Sequence, residues 1–322
     1  MSEPPLPVAG TRVVLTVPAS SANLGPGFDA VGLALGLRDH YTVTVTASPG
    51  LRVEVRGEGA GELPTDATHL VARSLRLALD ACGLPWLEGL AAQGRGLLLQ
   101  CHNAIPMSAG LGSSAAAAVG GLGLGFALSR GSGLTEEDRG LVNTHAGVLE
   151  GHPDNSSASV YGGLTVSWMP GPATVRTARP TVHPRLEPLV LLPTSDRLGT
   201  HTARGVLPVS VPFADAVHQA GRAALLVHAL TADLSLLFDA TEDRLHQEPR
   251  RAAYPGSMAA VDALRALGHA AVVSGAGPSV LVPGPAELAD DVTAEVRSWG
   301  PGWRVLRPGV DHRGVHVQGA PG

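Results

Sequence analysis

The segment Pro106 to Ala116, PMSAGLGSSAA, constrains this chain more than any other part of it. Two glycines spaced by one residue are followed by two serines and a run of alanines. Glycine lets backbone N–H groups approach a bound group closely. A helix opening at the serines would add unsatisfied N–H donors and the positive end of its dipole. Read this way the loop is a phosphate cradle, with one serine hydroxyl for phosphate and the other for a metal. Read the other way it is a small-residue helix packed closely on a neighbour, and the string alone leaves both open. A Walker-type loop is excluded, because it needs a Lys on the phosphates and all 23 cationic side chains here are Arg.

The surroundings of the loop raise a second question. No residue from Asn103 to Ser129 is charged, a length that could cross a membrane. Pro106, six glycines and an apolar content dominated by alanine fit a buried loop running into a buried helix better. No membrane span is therefore expected. The chain of 322 residues is long enough for two domains. With 44% hydrophobic and 16% charged residues it is a globular chain and not a disordered one. Aromatics make up only 3%, so the core must be Leu, Val and Ala, and base-stacking platforms are lacking. A net charge of −5 leaves no basic footprint, so no nucleic-acid partner is expected. Cys82 and Cys101 have neither disulfide-framework nor metal-ligand spacing. Together with an N-terminal MSEPPLPVAG that lacks a basic, apolar leader pattern, they point to a cytoplasmic protein.

Alternation predicts strands at Thr11–Val17, Tyr41–Thr46, Leu51–Arg56 and Gly96–Cys101. Asp66 reads as the N-cap of a helix ending at Gly83, and further helices run from the loop to about Leu128 and from Glu136 to Glu150. Tyr161–Trp168 reads as a strand. The Pro- and Thr-rich stretch Met169–Pro184 is the best boundary, giving domains 1–168 and 169–322. Beyond it lie strand LVLLP, helices near Ala214–Leu230 and Ser257–Leu267, strands Ala270–Val273 and VLV, a helix from Ala286 and a strand at Trp303–Leu306. Short strands and helices with hairpin signals, and no internal repeat, argue an α+β fold.

Three further strings carry chemistry. Pro18-Ala-Ser-Ser-Ala-Asn-Leu-Gly-Pro-Gly-Phe-Asp29 is a rigid small-residue turn, either a strand-to-helix connection or a grip for amino and hydroxyl groups through Asn23 and Asp29. Glu150-Gly-His-Pro-Asp-Asn155 follows a helix and is a surface loop or a polar site. Ser274-Gly-Ala-Gly-Pro-Ser279 is a glycine turn between strands, able to abut another backbone.

Together the four strings resemble the GHMP family of small-molecule kinases, in order and spacing and over nearly the whole chain. The match is fullest with members that transfer the γ-phosphate of ATP to the side-chain hydroxyl of L-homoserine. The resemblance implies a two-domain architecture, with a ribosomal protein S5 domain 2-like N-terminal domain and a ferredoxin-like C-terminal domain. It implies ATP and Mg²⁺, with Pro106, Met107, Ser108, Ala109, Gly110, Leu111, Gly112, Ser113, Ser114, Ala115 and Ala116 forming the ATP loop. It makes Ser114 a metal ligand together with Glu150; in some relatives the Glu lies eight residues before the His, which here is Thr144. For the acceptor it points to Asn23, Asp29, His152, Arg204 and Arg250, and for catalysis to Asn155, His152 and Asp154. Arg suits a carboxylate because its planar fork binds both oxygens. The missing Lys removes the Asp–Lys pair of mevalonate-type members, so Asp154 is not expected to act as a base. In relatives an Asn often stands near the adenine where this chain has His69. The alternatives are another kinase of the family, mevalonate- or sugar-type, or a non-catalytic sensor. Many relatives are dimers, which makes a homodimer an expectation here.

Overall fold

The alternation of TRVVLTV does not stop at Pro18 but continues through the small polar residues that follow. In the computed structural model, which describes residues 7–84, 86–194 and 205–319, β1 spans Arg12–Asn23 and β2 spans Gly27–Thr46. The two pair antiparallel from Arg12↔Thr44 to Asn23↔Gly27, with a register shift after Pro18 that absorbs the proline. The string whose plainer reading is a strand-to-helix connection is thus the tip of a long hairpin. Asn23, Leu24 and Gly25 all have positive φ (69°, 49° and 85°), which turns the chain within three residues.

β3 (Gly50–Gly57) runs parallel to β4 (Gly96–Asn103), which pairs antiparallel with β2. Between them lie α1 (Leu70–Ala81) and the short α2 (Leu87–Ala91). The N-cap of α1 is His69 and not Asp66: His69 Nδ1 accepts from Val71 N, while Asp66 closes a smaller turn with Thr68. The loop opens α3 (Ser113–Arg130), and most of its residues are buried. Its glycines explain how. A Cβ at Gly121 would lie 2.3 Å from the Val71 carbonyl and one at Gly125 would lie 2.5 Å from Ala78 Cβ, both on α1. On the opposite side Gly120 admits the ring of Tyr41. The uncharged stretch is a central helix gripped on two sides, and no described helix is long and apolar enough to cross a membrane.

α4 (Glu136–Glu150) starts with a capping box of Thr135 and Asp138 and ends at left-handed Gly151. The polar string after it is not a loop, because α5 (Asp154–Tyr161) begins within it. The strand expected from Tyr161 is β5, at Leu164–Gly171, and it pairs with β2 and with β6 (Thr174–Ala178). The expected division at 168/169 therefore passes through β5. The first sheet also regains β11 (His316–Val317) at the end of the described chain, beside β1.

The second sheet holds β7 (Leu189–Pro193), β8 (Val272–Val273), β9 (Val280–Val282) and β10 (Trp303–Leu306) in the order β10-β7-β9-β8. Numbered within this sheet the order is 4-1-3-2 and every pairing is antiparallel. That is the ferredoxin-like arrangement expected. Its helices are α6 (Phe213–Thr231), the one-turn α7 (Leu237–Ala240), α8 (Pro255–Ala266) and α9 (Leu288–Ser298). Along β7, Leu189 and Leu191 face the core built with α8 and α9, while Val190 and Leu192 face the main core. Burial on both faces is why LVLLP reads as a continuous apolar run.

Candidate active site

Three of the four strings meet at the amino end of α3. Ser20 N donates to Leu111 O (3.1 Å), Gly275 N to Ala22 O (3.1 Å) and Ser279 N to Ala109 O (3.2 Å). The fully buried Ser274 hydroxyl donates to Gly110 O at 2.7 Å and lies 2.8 Å from Ser21 Oγ. Its one hydrogen serves Gly110, so Ser21 must donate to Ser274. A side chain at Gly110 would enter this contact, with its Cβ 2.3 Å from Ser274 O. A Cβ at Gly112 would lie 2.2 Å from Ser20 Oγ and 3.0 Å from Asn155 Oδ1. Both glycines also have positive φ (78° and 69°). Their spacing in the sequence thus reflects two separate close approaches.

Around this junction lies a cleft that opens to solvent and encloses roughly 720 Å³ of space, solvent included. Its lining includes Asn23, Asp29, Ser108, Gly110, Gly112, Ser113, Ser114, Ala115, Glu150, His152, Asp154, Asn155 and Arg250, together with Phe28, Gly275 and Ala276. The amino end of α3 opens here without a side-chain cap, so its first-turn N–H groups and its dipole are available to an anion. Pro106, Ala109, Leu111 and Ala116 are buried and support the loop from behind without lining the cleft. Thr144 lies within α4 and does not line the cleft. Arg204 lies outside the described residues.

Two groups of potential ligand atoms line the cleft. Ser114 Oγ donates to Glu150 Oε1 at 2.7 Å. Glu150 is the last residue of α4, where the helix dipole is also negative. A hard cation would satisfy both oxygens and offset that charge, so this pair fits Mg²⁺. In the other group Asp154 is 1% exposed and its Oδ1 accepts from Asn155 N (2.7 Å) and His152 Nδ1 (2.6 Å). A carboxylate only accepts, so the His152 proton sits on Nδ1. Asp29, His152 and Asp154 can bring one ligand atom each within 4.8 Å, a second cluster able to approach a cation. Asn155 Oδ1 accepts from Ser20 Oγ (3.0 Å), which leaves the NH₂ edge of that amide as its donor.

An apolar pocket adjoins the cleft through Ser108, Ser113 and Ser114. Leu63, Leu70, Val71, Ile105, Met107 and Ala117 give it its apolar surface, and Asp39, Tyr41, His69 and Asn103 also line it. Two buried polar atoms in it have no hydrogen-bond partner among the described residues, His69 Nε2 and Asn103 Oδ1. Because His69 Nδ1 accepts from Val71 N, Nε2 carries the proton and is a donor; burial pushes this imidazole below its usual range and keeps it neutral. One donor and one acceptor in an apolar slot suit a heterocyclic base with an amino group. Asn103 escaped the sequence reading, because a strand-end Asn has no local signature.

The C-terminal wall was also missed in part. Asp243, His246, Gln247 and Arg250 lie in a segment of bends that ends in a single 3-10 turn at Glu248–Arg250. His246 Nε2 reaches Gly25 O (2.8 Å), Gln247 Oε1 accepts from Val273 N (2.7 Å), and Gln219 Nε2 donates to Pro26 O (3.1 Å) and Asp243 Oδ1 (2.8 Å). The segment is not α-helical, so spacing in the sequence carried no signal of these partners, which lie 24 to 221 residues away.

Two family models match this chain, GHMP kinases N terminal domain over residues 69–163 and GHMP kinases C terminal over residues 222–302. The chain belongs to the GHMP kinase family, whose members use ATP. It is similar to the homoserine kinase of Streptomyces avermitilis, with 48% identity over 98% of both chains. The homoserine kinase of Rhodococcus erythropolis is also 48% identical, over 90% of this chain and 92% of that one. Among solved structures, homoserine kinase from Cytophaga hutchinsonii superposes with a TM-score of 0.81 at 24% identity, covering 95% of this chain and 97% of that one. That likeness shows the same two-domain fold.

Proposed function

We propose that this protein transfers the γ-phosphate of ATP to the side-chain hydroxyl of L-homoserine, forming O-phospho-L-homoserine for threonine biosynthesis. One observation carries the reading: the uncapped amino end of α3, the Ser114–Glu150 pair, Asp29 and the buried Arg250 all line one cleft. The apolar pocket beside it takes the adenine, with His69 Nε2 donating to a ring nitrogen and Asn103 Oδ1 accepting from the amino group. The first-turn N–H groups of α3 and the serines of the loop hold the phosphates. Mg²⁺ held by Ser114 and Glu150 would supply positive charge at the phosphate oxygens during transfer.

On the acceptor side Asp29 faces the ammonium, and Arg250, with Arg204, binds the carboxylate. Asp154 holds His152 with its proton on Nδ1, so that Nε2 accepts the hydrogen bond of the substrate hydroxyl and aims its oxygen. The Asn155 NH₂ edge and the helix end then stabilise charge as the phosphoryl group moves. Positioning and electrostatics suffice, because this transition state is commonly loose and needs little base assistance. Cys82 and Cys101 are free thiols, which fits the reducing cytoplasm.

ADP release with Mg²⁺-ATP, measured against L-homoserine, mevalonate, shikimate and galactose, tests the proposal. Turnover with L-homoserine alone is expected. Turnover with another acceptor, or with none, would overturn it.

A further inference from the structure

Arg250 reaches the cleft from a segment wound on a single carboxylate. The N–H groups of Leu245, His246 and Gln247 donate to Asp243 at 3.2, 3.0 and 2.8 Å. The His246 side chain, fully buried, sits at the centre of this segment. Its Nδ1 lies 3.0 Å from Arg250 Nη1 and its Nε2 lies 2.8 Å from Gly25 O. A guanidinium only donates and a carbonyl only accepts, so Nδ1 is bare and Nε2 is protonated. The ring is therefore neutral, and burial keeps its pKa below the usual range although Asp243 (3.6 Å away) and Asp29 pull the other way. Phe28 stacks on the ring at 5.0 Å, and the Arg250 guanidinium lies 5.4 Å from the Phe28 centroid.

We infer that His246 is a positioning residue for a zwitterionic α-amino-acid acceptor, with Nδ1 aiming the Arg250 guanidinium and Nε2–H tethering the hairpin tip that carries Asp29. The inference rests on the reading of Arg250 as the carboxylate clamp. One imidazole sets the relative placement of the cationic and anionic groups, and an α-amino acid presents its own two charges at a fixed separation. The chemistry of the contact matters as well. A carboxylate at position 246 would orient the guanidinium but add a negative charge beside the one arriving with the substrate. A bare imidazole nitrogen fixes the fork without that countercharge.

Steady-state kinetics of the full chain with His246→Phe and His246→Gln test this. Phe keeps the stacked ring and removes both nitrogens; Gln restores an acceptor and a donor on one planar group. For His246→Phe the KM for L-homoserine should rise about 10- to 100-fold, the loss of a charge-assisted hydrogen bond, with kcat and the KM for ATP within about threefold. His246→Gln should recover most of that loss. An unchanged KM for L-homoserine in folded His246→Phe, or an equal rise in both KM values, would overturn the inference. Ring ¹⁵N spectra of the wild-type protein give a readout that needs neither variant folding nor turnover. A pyridine-type Nδ1 and a pyrrole-type Nε2 at neutral pH are expected; the opposite tautomer or an imidazolium would overturn the inference. Failure of the wild type to phosphorylate L-homoserine refutes the proposed function, and the ring spectrum is read independently of it.

Discussion

Asn23 stands in the left-handed region at φ 69° and divides its amide between two neighbours. Nδ2 donates to Gly275 O at 2.9 Å, and Oδ1 accepts from Asp29 N at 3.0 Å. A residue expected to grip the substrate is therefore first a strut, joining the hairpin tip to the SGAGPS turn and setting the backbone of Asp29. Asn23→Ala should lower unfolding free energy by about 1–3 kcal/mol in a urea titration, from two buried bonds lost and a β-carbon left at positive φ. Its KM for L-homoserine should rise with that of no other substrate. On the proposed mechanism Asn155 offers its NH₂ edge to the reacting group, and Asn155→Ala should lower kcat about 10²- to 10³-fold with little change in either KM. Near-normal turnover would remove it from the mechanism. Asn23 and Asn155 both line the cleft as the sequence suggested, but the sequence could not tell strut from donor, because that depends on which neighbours the fold delivers.

Elements were legible where a local pattern specified them. The capping box of α4 and the loop-to-helix step of α3 depend on residues a few positions apart. The start of α5 inside GHPDN was not, since its Pro153 N-cap has no side-chain bond to signal it and its buried serines look polar. Ser157 and Ser159 are satisfied by Asn143 Oδ1 and Pro18 O, partners 14 and 141 residues away. The glycines of α3 make a test at this scale. Gly125→Leu would drive a side chain into Ala78 and the Leu75 carbonyl on α1, and overpacking of this kind costs about 1–3 kcal/mol or more. A thermal melt should show a clear fall in Tm. Gly131→Ala is the comparison, at a helix end with open space around its Cβ but a positive φ of 66°; it should lose less.

Across the whole molecule the cleft joins the β1–β2 hairpin, the α3 loop and the C-terminal segments through a handful of buried polar bonds. His69, His246 and His316 all have imidazoles held below their usual range, with burial the first cause in each. Their folded pKa values are depressed, so the unfolded chain takes up protons first as pH falls below the ordinary value of 6.5. The stability these groups contribute is present above that value and is lost as pH drops towards their folded values. Tm should decline from pH 7 to pH 5, and His246→Gln should flatten the decline. A slope unchanged by that substitution would show that His246 binds protons equally in both states.

The sequence by itself determined the glycine–serine loop that opens α3, the lack of any lysine, the α+β class and most of the residues that line the cleft. Each of these rests on chemistry local in the chain: glycine at positive φ, serine at a helix start, an apolar run flanked by turns. Only the tertiary structure decided that Ser274 locks three strings together, that His69 and Asn103 share a pocket, and that His246 stands between Arg250 and the hairpin tip. Those relations join residues tens to hundreds of positions apart, and their hydrogen bonds exist only once two sheets and α3 have packed. Spacing in the chain carries no record of such distances, whereas burial and the need to satisfy every buried polar atom enforce them in the folded protein.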